Sequence, residues 1–140
     1  DRLFCDCAAL TSVSIPDSVT AIGSYSFDGC TALTSITIPG NVTSIDERAF
    51  TRLSESNLTS IAFGEGTTKI AFTAFSNCKK LSALYLPKSL TQVIGGAFYY
   101  CNDITDIYYA GNPKDKQQLV IGANNDALVY SATWHYNSDY

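Results

Sequence analysis

The stretch FDGCTALTSITIPGNVTSIDERAF, running from Phe27 to Phe50, decides the fold. Between its two phenylalanines stand Cys30, Leu33, Ile36, Ile38, Pro39, Val42 and Ile45. The same order recurs on either side. Before it come Phe4, Cys7, Leu10, Val13, Ile15, Pro16, Val19 and Ile22. After it come Phe75, Cys78, Leu81, Leu84, Leu86, Pro87, Leu90 and Val93, then Phe98, Cys101, Ile104, Ile107 and Tyr109. The phenylalanines are spaced 23, 23, 25 and 23 residues apart. A fixed period of this length marks a solenoid: a single coil cannot bury its own apolar face, so neighbouring coils must stack.

The coil that opens at Phe50 is irregular, with Leu53, Leu58, Ile61, Phe63, Gly64, Thr67 and Ile70 in the repeating places. Its extra length falls at Ser54-Glu55-Ser56-Asn57, where a bulge on one face is expected. Within a regular coil, Ile36 and Ile38 alternate with Ser35 and Thr37, which predicts a half-buried strand. Pro16, Pro39, Gly64 and Pro87 close that segment, since proline cannot donate to a ladder. Val42 and Ile45 read as a shorter extended segment, and Ala49-Phe50, Ala74-Phe75 and Ala97-Phe98 as a single helical or 3₁₀ turn. The strands are expected to stack in parallel through right-handed connections.

Two strings, Ala-Leu-Thr-Ser-Ile-Thr-Ile-Pro (32–39) and Val-Thr-Ser-Ile-Asp-Glu-Arg-Ala-Phe (42–50), carry a family resemblance. The pattern is similar to the BspA-type leucine-rich repeat of bacterial and some protozoan surface proteins, over about residues 3–110. The tail resembles one that follows such arrays, with Ile107-Tyr-Tyr-Ala-Gly111, Ile121-Gly122, Asn125, Ala127-Leu128, Ala132-Thr133 and Tyr136-Asn137. The family tail often has a tryptophan near position 116, where this chain has Lys116. The resemblance implies an α/β repeat fold: a right-handed leucine-rich-repeat solenoid with parallel strands, short convex turns or helices and a small C-terminal cap. It also implies a cell-surface or extracellular location and a role in adhesion or ligand binding, and it brings no catalytic residues.

At 140 residues the chain is one structural unit, read as an array of about five coils over 1–110, the first truncated, and a cap over 111–140. It opens in mid-coil with no polar cap, so it is expected to be a fragment of a longer protein, or its ordered part. Within the cap, Asn112 and Pro113 predict the start of a short helix reaching Leu119, with asparagine as N-cap and proline at the first helical position. Asn124 to Tyr130 reads as a second helix and Thr133 to Tyr136 as a strand. A formal charge of −4 with nine basic residues argues against nucleic acid, which demands clustered lysine and arginine. No apolar run reaches the length of a membrane span. The chain is expected to be a monomer without cofactors.

Cys7, Cys30, Cys78 and Cys101 share one coil position, which Leu53 takes in the third coil. Replacement by leucine marks the site as apolar, and free cysteine behaves there as a small hydrophobe. Parallel side-chain directions make a disulfide between neighbouring coils awkward. Cys5-x-Cys7 is too tight a pair for zinc, and Cys5 is the odd thiol, expected toward the surface. His135 is the single histidine, so any triad or Cys–His pair must use it. It reads as a surface residue of the cap, remote from the regular coils. The carboxylates are scattered, and nothing pairs two of them across a cleft. Asn41-Val-Thr and Asn57-Leu-Thr fit glycosylation acceptors, which have meaning only in a eukaryotic secretory host.

The residues flanking the inward pair point outward and form the candidate site. One row runs Ser12, Ser35, Ser60, Ala83, Asp106 and the next Ser14, Thr37, Ala62, Tyr85, Tyr108. Tyr85, Tyr108, Asp106, Thr37 and Ser35 are the candidate ligand-binding residues, with no catalytic or metal site. Aromatic residues are favoured anchors for protein partners, and their ring faces suit sugars; tyrosine is also simply a good strand former. The leading functional expectation is a surface binding module for a protein or glycan. The alternatives are a structural spacer, or an accessory array of a larger secreted enzyme. From the ladder position, Cys30 and Cys78 are expected to resist a thiol reagent in the native state and to react once unfolded; fast native labelling of either overturns the core assignment.

Overall fold

The computed structural model describes residues 1–53 and 55–140. Each regular coil contributes one four-residue strand and one two-residue strand, because each holds one alternating apolar segment and one shorter apolar pair. The long strands are β2 (Ser35–Ile38), β4 (Ser60–Phe63), β6 (Ala83–Leu86), β8 (Asp106–Tyr109) and β10 (Thr133–Tyr136). The short ones are β1 (Ala21–Ile22), β3 (Ser44–Ile45), β5 (Lys69–Ile70), β7 (Gln92–Val93) and β9 (Val120–Ile121). They form two five-stranded parallel sheets, ordered β10-β8-β6-β4-β2 and β1-β3-β5-β7-β9. Burial alternates along the long strands, so Ile36, Ile38, Ile61, Phe63, Leu84, Leu86, Ile107 and Tyr109 form the core between the sheets. Where proline does not close a strand, the free N–H is used: Gly64 donates to the Ile38 carbonyl at 2.8 Å and Ala110 to that of Leu86 at 3.0 Å.

The first coil departs from the expected regularity. Residues 12–15 form no strand, so the outward rows start at Ser35 and Thr37 rather than at Ser12 and Ser14. Among the described residues this coil has a neighbouring coil on one side only. Accordingly Phe4, Cys7, Leu10, Val13, Ile15 and Val19 are only partly buried.

The phenylalanines stack in one column. Ring centroids are 5.2, 4.7, 4.7 and 5.4 Å apart along Phe4, Phe27, Phe50, Phe75 and Phe98, with interplanar angles of 19°, 7°, 15° and 8°. The turn that carries them is tight but not helical. Ala49, Ala74 and Ala97 do close back on the carbonyls three residues earlier. However, a left-handed residue stands two places before each phenylalanine (Arg2, Tyr25, Arg48, Thr73, Gly96) and another two places after it (Asp6, Gly29, Arg52, Asn77, Tyr100). Left-handed residues stop a right-handed helix from propagating. The phenylalanine N–H is thereby turned out of its own coil. Phe4, Phe27, Phe50 and Phe75 donate to the carbonyls of Ser26, Ala49, Ala74 and Ala97 in the next coil, at 2.8–2.9 Å.

The thiols of the cysteine position use this column too. Cys30 donates to the Phe4 carbonyl and Cys101 to that of Phe75, both at 3.1 Å. Cys30, Cys78, Cys101 and Leu53 are buried, and no thiol is paired. Burial pushes the Cys30 thiol up to about 11; the neighbouring Cys101 thiol and complete burial raise that of Cys78 well above its ordinary value. Cys7 differs from its counterparts in being half-buried, since it lies in the one-sided first coil, and Cys5 is half-buried as well. Of the expected bulge at 54–57, Ser54 lies outside the described residues. Glu55 is exposed, whereas Ser56 is buried, its N–H bonded to the Leu53 carbonyl at 2.9 Å and its hydroxyl 3.4 Å from the Leu58 N–H.

The tail supplies one strand to each sheet, β9 and β10. Helix α1 (Pro113–Gln118) begins as expected: the Asn112 side chain accepts from Lys114 and Asp115 N–H, and the Asp115 carboxylate accepts the Asn112 N–H at 2.8 Å. Lys116 places its ammonium 4.4 Å from the centre of the Trp134 ring, a cation–π contact that ties α1 to β10. The second expected helix, 124–130, is shorter and wider: a single π turn over Ala127–Ser131. Asn124 is left-handed, and Asn125 is committed elsewhere. The buried Asn125 side chain accepts the Phe98 N–H at 2.9 Å, where a further coil's carbonyl would otherwise stand, and donates to the carbonyls of Ile94 and Gly122, both at 2.9 Å. Asn125→Ala strands these backbone groups in the core. The expected cost is about 2–4 kcal/mol, read as a lowered midpoint in urea unfolding with unchanged slope.

Candidate binding face

Strand alternation builds this face. In β2, β4, β6, β8 and β10 the inward residues are held by the core, so those between them must face out. Ladder register then sets two rows: Ser35, Ser60, Ala83, Asp106 and Thr133, and beside it Thr37, Ala62, Tyr85, Tyr108 and His135. Parallel strands lie about 4.8 Å apart, close to the stacking distance of planar rings. The Tyr85 and Tyr108 rings stack at 4.8 Å and 12°, and those of Tyr108 and His135 at 4.7 Å and 14°.

His135 is therefore not remote from the coils. β10 pairs with β8 along its whole length and places the imidazole at the end of the tyrosine row. Its Nε2 lies 2.8 Å from Asp106 Oδ1, tying the second row to the first. The Thr105 hydroxyl donates to the other Asp106 oxygen at 2.8 Å. The hydrogen bond from His135, and then that from Thr105, hold the Asp106 carboxyl below its ordinary value. Tyr108 has a ring on each of its faces, so its edge and hydroxyl are what it offers to a ligand.

At the other end of the row the side chain drops from tyrosine to alanine. A groove of about 260 Å³ opens there, lined by Thr37, Ala62, Phe63, Gly64, Tyr85 and Tyr140. The chain reaches it by turning back after β10. Asn137, left-handed, donates to the Gly111 carbonyl at 3.0 Å, and Ser138 donates to that of Tyr109 at 3.1 Å. Tyr140 then meets the Tyr85 ring at 5.3 Å and 60° and donates its hydroxyl to the Phe63 carbonyl at 3.3 Å.

Of the five candidates, the structure brings Tyr85, Tyr108 and Asp106 into one patch and sets Thr37 across the groove from Tyr85. Ser35 is exposed in the other row and does not line the groove. His135 and Tyr140 were missed. Matching Trp134 to Ile107 as inward residues would have placed His135 beside Tyr108; Tyr140 carries no such signal. A second polar cluster lies on the turns: Arg52 pairs with Asp28 and, at 2.8 Å, with Asp6, and Thr51 donates to Asp28 at 2.9 Å. Those charges satisfy one another and hold three coils together. Among the described residues no group of three or more His, Cys, Asp and Glu side chains is placed to hold a metal ion.

The Asp106 contact has a pH signature. Because its folded-state value is lowered, its contribution to stability is complete above the ordinary aspartate value of about 3.9 and is lost as pH falls through the lowered one. Carbon-detected NMR titration is expected to give Asp106 a midpoint below that of ordinary aspartates, and His135→Ala is expected to raise it; an unmoved midpoint shows that the hydrogen bond is not formed in solution.

The profile of the BspA type leucine rich repeat region matches residues 1–120 in six copies. A leucine rich cell surface protein from Faecalibacterium prausnitzii A2-165 has a similar structure, with a TM-score of 0.60 and 27% sequence identity. The match covers 79% of this chain and 35% of that protein, so the chain spans about a third of its neighbour's length. No curated protein matches the sequence. The six matched copies and the two parallel sheets agree: the chain belongs to the BspA-type leucine-rich repeat family.

Proposed function

We propose that this chain is a non-enzymatic binding module, displayed on a cell surface or outside the cell, that contacts a protein partner through its long-strand face. The observation that carries the reading is the row of three stacked rings, Tyr85, Tyr108 and His135, lying half-exposed beside Asp106. The alternating pattern asks only that these positions point outward; Ala62 and Thr37 meet that demand in the same row. Aromatic side chains in such positions bring large contact area with little loss of rotamer freedom, and they are common anchors of protein interfaces. Both faces of Tyr108 are covered, so the middle of the strip presents a hydroxyl and a ring edge, while Tyr85 keeps a ring face on its groove side. A row so stacked leaves few open faces for a sugar ring, and its hydroxyls and edges suit hydrogen bonding to a protein. The cell-surface description of the structural neighbour supports the location. Among the described residues no helix is long and apolar enough to cross a membrane.

A screen of matrix proteins and glycans, run with wild type and a folded Tyr85→Ala/Tyr108→Ala variant, tests the reading. A protein ligand is expected whose affinity falls about tenfold or more in the variant. A ligand that binds both forms equally removes this face as the site. A glycan ligand that depends on the tyrosines changes the partner class, and binding to nothing in the screen favours a spacer.

A further inference from the structure

The tyrosine row ends on an open step, and the chain's own Tyr140 sits in it. Along that row, residues of β4 and β2 continue as Ala62 and Thr37, so the ring ladder stops at Tyr85. The space a further ring would occupy is the groove over Ala62. It has three features that suit a phenol. Tyr85 forms an aromatic wall. Ala62, small and outward-facing, leaves the floor low, and Gly64 lines its edge. The Phe63 carbonyl, at the end of β4, accepts a hydroxyl proton at 3.3 Å.

Tyr140 uses all three, but imperfectly. It meets Tyr85 at 60°, where the rings of the row lie within 15° of one another, and it remains 52% exposed. It is tethered by the turn at Asn137 and Ser138, which limits how it can enter. A ring arriving from outside has no such tether; it can lie parallel to Tyr85 at the strand spacing and extend the stack by one.

We propose that the groove over Ala62 is a receptor site for a tyrosine side chain presented by a protein partner, and that Tyr140 is its displaceable internal occupant. The inference rests on the strand-face reading and narrows it, naming the chemistry of the partner's anchor and a built-in competitor for it. The competition has a direct consequence: an outside phenol binds with an affinity reduced by the fraction of molecules in which Tyr140 holds the site.

The test is an amide NMR titration with p-cresol, the tyrosine side chain alone, on wild type and Tyr140→Ala. In Tyr140→Ala, shifts are expected at Thr37, Ala62 and Gly64, with affinity about fivefold or more above wild type. Toluene, which cannot reach the Phe63 carbonyl with a donor, is expected to bind more weakly than p-cresol. Ala62→Leu in the Tyr140→Ala background fills the floor of the site from an outward strand position and is expected to abolish the shifts while the thermal unfolding curve stays cooperative. If Tyr140→Ala binds p-cresol no better than wild type, or the shifts fall away from these residues, the inference is overturned. The result is separable from the strand-face reading. Partner binding that needs Tyr85 and Tyr108 without p-cresol binding defeats only the inference. Binding of p-cresol over Ala62, with partner affinity indifferent to the two tyrosines, defeats the wider reading.

Discussion

The structure depends on one hydrogen bond repeated along the stack: the N–H of a phenylalanine leaving its coil for the carbonyl ahead of the phenylalanine in the next. A helical turn would have kept that N–H within the coil. The left-handed residues two places to either side prevent this, and they recur in every coil although their identities range over arginine, tyrosine, threonine, aspartate, asparagine and glycine. Their strain is offset because the bond they release pins both the spacing and the rotation of neighbouring coils. With that spacing set, the phenyl rings stack, the cysteine thiols find a phenylalanine carbonyl one coil back, and both sheets come into register.

The outer face follows from the same spacing. Rings in successive strands of a parallel sheet stand a strand apart, which is also a stacking distance, so aromatic residues at one coil position must form a column. Tyr85, Tyr108 and His135 do so outside as the phenylalanines do inside. The difference is solvent. Inside, the column is continuous and, from Phe27 on, buried; outside, it begins at Tyr85 against alanine and ends at His135, where a carboxylate holds the imidazole. The features that break the regularity of this face, the groove beside Tyr85 and the His135–Asp106 contact, therefore stand at the ends of the outer column.

A stack must also be terminated. Beyond the last phenylalanine there is no coil to offer a carbonyl, and an unpaired buried N–H is costly. Asn125 resolves this with an amide that accepts from Phe98 and spends its two donors on backbone carbonyls. The tail around it leaves the repeat in sequence but keeps its geometry, adding β9 to one sheet and β10 to the other. That continuity is what delivers His135 and Tyr140 to the candidate site.

Sequence alone determined the period, the inward residues of the coils from Phe27 onward, the shared site of the cysteines, the long strands of those coils and β10, and the start of α1. These rest on spacing and on residue chemistry a few places apart: alternation for a strand, proline for its end, asparagine and proline for a helix start. The same reading made the turn at each phenylalanine helical, because Ala-Phe carries no mark of the left-handed residues around it. It also left His135 apart from Asp106, Tyr140 without a role, and Asn125 without its bonds. Only the tertiary structure decided those, since their partners lie 29, 77 and 27 residues away. A repeat states its own register because every coil says the same thing. A tail that says something different is placed by what it packs against, and Trp134 lying over Ile107 in the ladder settles where the residues beside it must go.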